Sequence, residues 1–424
     1  MNYIQQIIKK LNNGENVFLT GGAGVGKTTT TKAIIDEYEA EAKKVAKLAS
    51  TAMAATLING QTIHSFFDFG LNNNIKELEQ STKFHLNKKV KKLLFDINLI
   101  VIDEISMVSN ELLDMIELRL FQAEFKGSLL VVGDFLQLPP VTRGFNEIRF
   151  AFESSAWKRF AFSVIELTHI YRTDDAQFIE LLSRIRVANI NEESRKKLFD
   201  FVKPISQDIS THTLLFGKNV TASQHNAKML RDQEGELFVK EAKIIKHQSS
   251  IKDSEIDKFF EDARVDKYLE LKIGASVLFT RNSWSFYNGE RGVVVNSDDS
   301  FVYVKKSNGV IIKLEQAIQS KSIWIEKGNG TKKEIVEEVL FSIYQYPIRL
   351  AYAITIHKSQ GMSIEDLIIC TNEIFAPSQF YVAISRASNP KRLTLIEPKR
   401  SFNNIIFVNQ KALLFYEEIK RALS

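Results

Sequence analysis

The apolar positions in residues 1–165 follow two different spacings. Residues 2–13 place them at helical spacing and predict an amphipathic helix whose buried face is Ile4, Ile7, Ile8 and Leu11. Short apolar runs then alternate with helical segments; these runs are NVFLT, VAKLAS, LLFDINLIVID and LLVVGD. Continuous apolar runs are typical of parallel strands buried on both faces. We therefore predict βαβ units, and hence an α/β lobe, over residues 1–165.

The same pattern returns later in the chain but is interrupted. Helices are predicted over 174–188 and 220–232, with the strand TLLFG between them. Short alternating strands follow from 275 to 346, and the turns NSDDS and KSNG separate them. The strands LAYAIT, DLIICT and LTLIEP then restore the α/β pattern. We predict a second α/β lobe made of 166–274 and 347–424, with a small barrel-like β insertion at 275–346.

Composition narrows the class of protein. The chain has 424 residues, 44% of them hydrophobic and 25% charged, with a formal net charge of +5. Its single cysteine, Cys370, excludes an internal disulfide or a multi-cysteine metal site, and the run LIIC predicts that it is buried. No apolar stretch reaches the roughly 18 residues of a membrane helix. The polar start of the chain does not suit a signal peptide, so we expect an intracellular protein, cytoplasmic and nucleoid-associated in a bacterium.

The segment GGAGVGKTTT predicts a nucleotide site. Gly21, four further residues and Gly26-Lys27-Thr28 fit the phosphate-loop pattern, and they lie between a predicted strand and a predicted helix. Backbone N–H groups in such a loop can surround a phosphate of ATP, the lysine can reach the outer phosphates, and the threonine hydroxyl can hold Mg²⁺. The expected nucleotide contacts are Gly22, Ala23, Gly24, Val25, Gly26, Lys27, Thr28 and Thr29.

Two further strands end in polar residues that suit the same site. LIVIDE ends in Asp103, expected to bind Mg²⁺ with Thr28, and Glu104, expected to activate the attacking water. In VVGDFLQLPPV, Gln137 is expected near the γ-phosphate, whereas Asp134 fits either a functional position or a turn. Because parallel strands end at one sheet edge, these side chains are predicted to meet.

Two arginines complete the predicted catalytic set. Arg172 lies in LTHIYRTDD and Arg386 in YVAISRAS, both assigned to the second lobe. A guanidinium directed at the γ-phosphate would stabilise the transition state by roughly 4–7 kcal/mol. Each arginine taken alone also fits a surface ion pair. If both face ATP, hydrolysis requires closure of the two lobes.

Seven stretches of the chain resemble a known family and follow its order: FLTGGAGVGKTTT, LASTAMAATLINGQTIHSFF, LIVIDEISMVS, VVGDFLQLPPV, LTHIYRTDD, YAITIHKSQGMSIED and FYVAISRAS. In these stretches the chain resembles the Pif-type (petite integration frequency) DNA helicases, in the 5′→3′ branch of superfamily one, related to RecD and Dda. The resemblance implies two RecA-like lobes, ATP and Mg²⁺ between them, an SH3-like insert in the second lobe and a possible small wedge insert at 66–92. It further implies a monomer that acts on single-stranded, forked or structured DNA, with roles in replication, repair or telomere maintenance.

The resemblance also implies site residues. It supports Lys27, Thr28, Asp103, Glu104, Gln137, Arg172 and Arg386, and it places Gln360 and Gly361 in a motif that links DNA to ATP, with Gly361 expected at the nucleotide. The expected DNA contacts are Thr51, His64, Ser65, Phe66, Asn282, Thr355, His357 and Lys358. The usual adenine motif before the phosphate loop is missing, and Gln5 or Gln6 would have to serve; we assign Gln6.

Several of these assignments have structural alternatives. His64 and His357 fit either DNA contacts or structural positions, and Phe66 fits either a base contact or the core. The lysines of KFHLNKKVKK fit a phosphate track or a solvated helix face. For the whole chain, the alternatives to a helicase are a nucleotide-switched interaction module and a motor subunit of a nuclease complex, and RNA stays open as a track.

Overall fold

The computed structural model describes residues 3–50, 54–55, 58–70, 72–140, 147–204, 212–248, 251–263, 265–281, 283–327 and 334–423. They form two parallel-sheet lobes joined to a set of antiparallel sheets. The predicted fold class, two RecA-like lobes with a β insertion in the second, is confirmed.

The first lobe is built on a six-stranded parallel sheet with the order β3-β2-β4-β5-β1-β6. Its strands are β1 Val17–Gly21, β2 Val45–Ala49, β3 Gln61–Thr62, β4 Leu99–Asp103, β5 Ser128–Val132 and β6 Ser163–Leu167. The helices of this part of the chain are α1 Tyr3–Asn12, α2 Lys27–Ala40, α3 Ile63–Phe66, α4 Ile75–Glu79, α5 Lys88–Asp96, α6 Asn110–Gln122 and α7 Ser155–Phe160.

Two cores sandwich this sheet, which explains its continuous apolar strands. In β4, Leu99 and Val101 face the core formed with α1 and α2. Ile100 and Ile102 face the opposite core, formed with α3 to α7. Because successive side chains of a strand point to opposite faces, every position of such a strand is apolar.

The second lobe has a four-stranded parallel sheet with the order β18-β7-β19-β20. Its strands are β7 Thr213–Phe216, β18 Ala353–Thr355, β19 Leu367–Ile369 and β20 Leu393–Leu395. Its helices are α8 Ala176–Arg186, α9 Glu192–Asp200, α10 Asn219–Asp232, α12 Gln379–Ile384 and α13 Phe402–Ile405. α10 covers one face, where the predicted buried Cys370 lies, and the other helices cover the opposite face.

Three antiparallel sheets complete the fold. Their orders are β14-β13-β12-β11-β17, β15-β16-β9 and β10-β8. The strands are β8 Phe238–Glu241, β9 Lys243–Lys246, β10 Tyr268–Leu271, β11 Ser276–Phe279, β12 Arg291–Ser297, β13 Val302–Lys306, β14 Ile311–Leu314, β15 Ala317–Lys327, β16 Glu334–Gln345 and β17 Ile348–Leu350, and α11 Asp253–Ala263 lies among them. The turns predicted at NSDDS and KSNG join β12 to β13 and β13 to β14.

The domain limits inferred from sequence stay predictions, and the sheets differ from them at both ends of the insertion. The predicted limit at residue 165 falls inside β6, which belongs to the first-lobe sheet. The antiparallel strands begin at β8 and not at residue 275, because β9 pairs with β16 and Leu269 shares a core with Val277. They end with β17, which pairs with β11 beyond residue 346.

The last helix, α14 Gln410–Leu423, packs against the first lobe although the sequence placed it in the second. Ala412 and Ile419 join the first-lobe core. The ring of Phe415 stacks on Phe152 with 4.2 Å between centroids. After α13 the chain therefore returns to the first lobe, and α14 is a covalent extension of the second lobe that packs on the first.

None of the helices in the described part of the chain combines the length and the apolar character needed to cross a bilayer.

Candidate active site

The phosphate loop joins β1 to α2 and is shaped by glycines with positive φ. Gly24 and Gly26 have φ of 79° and 86°, a conformation that side chains with a Cβ rarely adopt. The Nζ of Lys27 donates to the carbonyl oxygens of Gly21 and Gly22, each at 2.9 Å. Burial lowers the pKa of Lys27, and the negative charges of Asp134 and Glu104 act against that shift. The lysine is thus held inside the loop, where an anionic group would be favoured.

Two carboxylates lie at the end of β4, as predicted. Asp103 is buried, and its Oδ1 accepts a hydrogen bond of 2.9 Å from the backbone N–H of Glu104. Glu104 adopts a left-handed conformation with φ of 53°, which turns its side chain away from the strand direction. Burial raises the pKa of both carboxyl groups, and for Glu104 the neighbouring Asp103 adds to the effect. A carboxylate with a raised pKa is suited to accept a proton near neutral pH.

The donor atoms at this edge fit Mg²⁺. Thr28 lies in the first turn of α2, and the Asp103 carboxylate is close enough to Lys27 for their charges to interact. Hydroxyl and carboxylate oxygens are the ligands that Mg²⁺ prefers. Within the described residues no three His, Cys, Asp or Glu side chains gather into a metal cage. Thr28 and Asp103 would supply two oxygen ligands, and phosphate and water would supply the others.

The segment after β5 holds Gln137 and Asp134 in a network that the sequence only partly predicted. Asp134 is 1% exposed and accepts two hydrogen bonds from the guanidinium of Arg186, at 3.0 and 2.9 Å. Asp134 also accepts a hydrogen bond of 3.3 Å from Nε2 of Gln137. Burial alone would raise the pKa of Asp134, but Arg186 outweighs burial and the pKa is lowered. Asp134 is therefore more than a turn residue.

The two predicted arginine fingers lie close to one another. Arg172 donates from Nε to Oγ of Ser363 at 3.0 Å and from Nη1 to the carbonyl of Ser385 at 2.7 Å. Arg386, 2% exposed, donates from Nε to the carbonyl of Val382 at 2.9 Å. Burial lowers the pKa of Arg172 to about 10 and, with the adjacent charge of Arg172, that of Arg386 to about 9. Two buried cations side by side would be stabilised by an anion between them.

Three contacts bring second-lobe residues to the nucleotide site. Nε2 of Gln360 donates to Oε2 of Glu104 at 2.8 Å. The hydroxyl of Tyr381 accepts from the backbone N–H of Ala23 in the phosphate loop at 2.8 Å. The third is the pairing of Arg186, whose helix packs in the second-lobe core, with Asp134. The cleft between the lobes is therefore bridged by hydrogen bonds in this structure.

Sequence reasoning missed Arg186, Tyr381 and Tyr171 at this site. The ring of Tyr171 lies 3.5 Å from the position of a Cβ on Gly26, and its backbone N–H donates to Gly24 at 2.8 Å, yet the residue is 71% exposed. The signal that could have identified it is its place beside Arg172 in LTHIYRTDD. Gln6, the predicted adenine contact, lies half-buried on α1, while Thr29 is exposed on the first turn of α2.

The predicted DNA contacts of the first lobe lie around α3. Thr62 caps this short helix by accepting from the N–H of Ser65 at 3.4 Å, and the Ser65 hydroxyl accepts from Lys321 of β15 at 2.9 Å. Burial lowers the pKa of His64, whose ring packs edge-on against Phe69. Phe66 is 4% exposed and packs in the core. This packing favours the core alternative for Phe66, and its contact with a base stays a prediction.

The second-lobe contacts lie at the end of β18. Thr355 is 2% exposed, and its hydroxyl accepts from the N–H of Lys358 at 3.3 Å, so it stabilises the turn His357–Ser359. Lys358 lines a cleft of about 700 Å³ between the second lobe and the β insertion. Gly361 follows with φ of 79°. The remaining predicted contacts, Thr51 and Asn282, lie outside the described residues.

The fold and this cleft define a two-lobed phosphate-loop nucleotide hydrolase. The PIF1-like helicase family matches residues 2–196. A curated relative, the ATP-dependent DNA helicase Pif1 of Campylobacter jejuni, is 36% identical over 438 residues, which cover 97% of this chain and 96% of the relative. The chain belongs to the PIF1-like helicase family.

Two solved structures allow a comparison of shape. Pif1 from Bacteroides sp in complex with ADP-AlF4 is 29% identical, with a TM-score of 0.85, and the match covers 100% of this chain and 97% of that one. Bacteroides Pif1 bound to ssDNA has the same identity and coverage but a TM-score of 0.66. The arrangement of this chain is thus more similar to that of the first complex.

Proposed function

We propose that this chain is an ATP-dependent DNA helicase that moves 5′ to 3′ along single-stranded DNA and hydrolyses ATP in the cleft between its lobes. The observation that carries the proposal is the hydrogen bond from Gln360 to Glu104. Gln360 directly follows the turn His357–Ser359, which bears the candidate DNA contacts, and Glu104 is the candidate base for water. A change at the DNA therefore has a direct route to the catalytic carboxylate.

Different residues of the cleft bind the phosphates, hold the metal ion and accept the proton. Lys27 and the loop N–H groups bind the phosphates of ATP, and Glu104 takes a proton from the attacking water. Thr28 and Asp103 would hold Mg²⁺. Bound Mg²⁺ would supply positive charge at the phosphate oxygens. Gln137 senses the γ-phosphate, and the exposed ring of Tyr171 beside the loop offers a surface for the nucleotide base, a place that Gln6 was expected to fill.

The arginines couple hydrolysis to lobe movement. Arg172 and Arg386 are held by second-lobe oxygens. Burial lowers the pKa of both guanidinium groups, and the charge of Arg172 lowers that of Arg386 further, so an anion placed between them would be bound favourably. A γ-phosphate supplies that anion when the cleft closes. DNA that spans both lobes favours closure and so stimulates hydrolysis.

The DNA partner is a single strand next to a fork or another structured region, and the chain acts as a monomer. Support for rearrangement on DNA comes from the Bacteroides relative, because at equal identity its ssDNA complex matches this chain less well than its ADP-AlF4 complex does. In a bacterium we place the protein at the nucleoid.

The test is an unwinding assay with matched DNA duplexes that carry a single-stranded tail at either the 5′ or the 3′ end. We expect ATP-dependent unwinding of the 5′-tailed duplex, and none with Glu104→Gln. Preference for the 3′ tail would contradict the direction of movement. ATP turnover stimulated by DNA without any unwinding would instead favour a nucleotide-switched interaction module.

A further inference from the structure

Arg186 occupies the last position of α8, where the second-lobe core meets the nucleotide cleft. Its Nε and Nη2 donate to the two carboxylate oxygens of Asp134, at 3.0 and 2.9 Å, so the pair is bidentate. The contact lies beside the phosphate loop, because a Cβ on Gly22 would be 3.7 Å from Cδ of Arg186. A buried fork-to-fork pair of this kind fixes the orientation of both partners.

Asp134 passes this orientation on to Gln137. The carboxylate oxygen that binds Nε of Arg186 lies 3.3 Å from Nε2 of Gln137. The other oxygen accepts from the backbone N–H of Leu136 at 3.1 Å. Both the side chain and the backbone around Gln137 therefore depend on where Asp134 is held, and Arg186 holds it.

The C-terminal helix α14 supports Arg186 from the opposite side. The guanidinium carbon of Arg186 lies 4.4 Å from the centre of the Tyr416 ring, in cation–π geometry. Nη1 of Arg186 is 3.8 Å from Glu166, and Glu166 accepts from Lys420 of the same helix at 3.2 Å. The helix that returns to the first lobe thus completes the environment of this arginine.

We propose that Arg186 is a positioning residue for Gln137, acting through Asp134, and that α14 keeps Arg186 in place through the ring of Tyr416. The proposal rests on the proposed function in one respect, namely that Gln137 contacts the γ-phosphate. In this role Arg186 acts on Gln137 and not on the nucleotide. The effect of Arg186 on turnover passes entirely through the side chain of Gln137. The position of Gln137 at the γ-phosphate therefore depends on the second-lobe core, in which α8 packs, and on α14.

The first experiment is a double-mutant cycle read as steady-state ATPase activity of the full chain with oligo-dT. Arg186→Lys keeps the charge but loses the planar fork, so it should lower kcat about tenfold and change KM for ATP much less. Gln137→Ala should lower kcat by at least as much. In the Gln137→Ala background, Arg186→Lys should then cause no further loss.

The second experiment tests the support from α14. Tyr416→Leu removes the aromatic face and should lower kcat about threefold, again only when Gln137 is present. Tyr416→Phe keeps the face and should match the wild type. Leu414→Ala, at an exposed position of the same helix, is the control for helix stability. If Arg186→Lys does not melt cooperatively, Tyr416→Leu replaces it in the cycle.

The outcomes separate this proposal from the proposed function. If the losses of Arg186→Lys and Gln137→Ala multiply, Arg186 does not act through Gln137 and the positioning proposal is overturned, while the helicase assignment stands. Equal losses for Tyr416→Leu and Tyr416→Phe would overturn the role of α14. If Gln137→Ala leaves kcat unchanged, the sensor assignment in the proposed function fails, and the positioning proposal falls with it.

Discussion

The nucleotide cleft and the cleft at the end of β18 both carry many charges, but they arrange them differently. In the nucleotide cleft, four cationic side chains surround three carboxylates; they are Lys27, Arg172, Arg186 and Arg386 around Asp103, Glu104 and Asp134. The other cleft also carries both signs, but its charged residues are spread along the lining of a space of about 700 Å³: Lys267, Arg349 and Lys358 with Glu261, Asp266 and Glu270.

The difference fits the two ligands proposed for these clefts. A compact triphosphate with Mg²⁺ needs many charges at one point, and burial there shifts the pKa of nearly every group involved. A DNA strand presents one phosphate per nucleotide, so its contacts spread along a path and each is weak alone. The two clefts meet at Gln360, whose hydrogen bond to Glu104 joins them.

The largest effect should come from removing the lysine of the phosphate loop. Lys27→Ala should reduce ATP turnover by more than about a thousandfold, because no other side chain replaces its charge at the phosphates. Single-strand binding should stay within about tenfold, since that surface is separate. Lys9→Ala, at an exposed position of α1, is the matched control. ATPase rates measure turnover, and fluorescence anisotropy with oligo-dT measures single-strand binding. Parallel loss of turnover and binding would show that the two clefts are not separate.

Glu104→Gln should lower kcat by about a hundredfold to ten-thousandfold while ATP remains bound. The amide keeps the size of the side chain and cannot take a proton, whereas Lys27 and Asp103 still hold the nucleotide. Rapid quench of a single turnover together with ATP binding by filtration measures both steps. Glu111→Gln, in the first turn of α6, serves as the control, and unchanged hydrolysis in Glu104→Gln would remove this residue from the reaction.

Lys358→Ala should weaken single-strand binding by roughly three- to tenfold, since it removes one phosphate contact from a spread-out path. The dependence of log K on log salt should become shallower by about 0.7. Lys391→Ala, an exposed lysine of the same lobe, should change neither quantity. Binding isotherms at several salt concentrations give both numbers, and a wild-type result for Lys358→Ala would exclude it from the track.

The salt dependence of DNA binding can be measured on the unmodified chain. With about four to six phosphates contacted, log K should fall against log salt with a slope of about −3 to −4. The same titration with a nonhydrolysable ATP analogue should change the slope by less than about 1 unless closure adds contacts. A slope near zero would show that the net charge of +5 is not organised along a strand.

The sequence predicted most of the fold, and it predicted the phosphate loop and the two carboxylates at the end of β4. Strands such as β4 are buried on two faces and must be apolar throughout, and a phosphate loop requires its glycines at fixed spacing. The contacts of Lys27 with the loop and of Glu104 with Asp103 are local, so a short motif is sufficient to predict them.

The parts that were missed depend on long-range packing. The pattern of α14 is amphipathic, but periodicity cannot tell which lobe its apolar face covers. Arg186 and Asp134 are 52 residues apart, and no motif marks the pair. For Phe66 the sequence left a base contact and the core open, and only the packing around α3 shows that its ring lies in the core.

Coupling between the clefts through lobe closure can be measured with the two arginine fingers. Steady-state ATPase rates of Arg172→Ala and Arg386→Ala, with and without saturating oligo-dT, should show loss of most DNA-stimulated turnover and a much smaller loss of ATP binding. Replacement of either arginine by lysine should restore little activity, because a point charge lacks the planar fork. If either alanine variant keeps wild-type stimulation by DNA, that arginine does not act across the cleft, and closure does not couple DNA to hydrolysis through it.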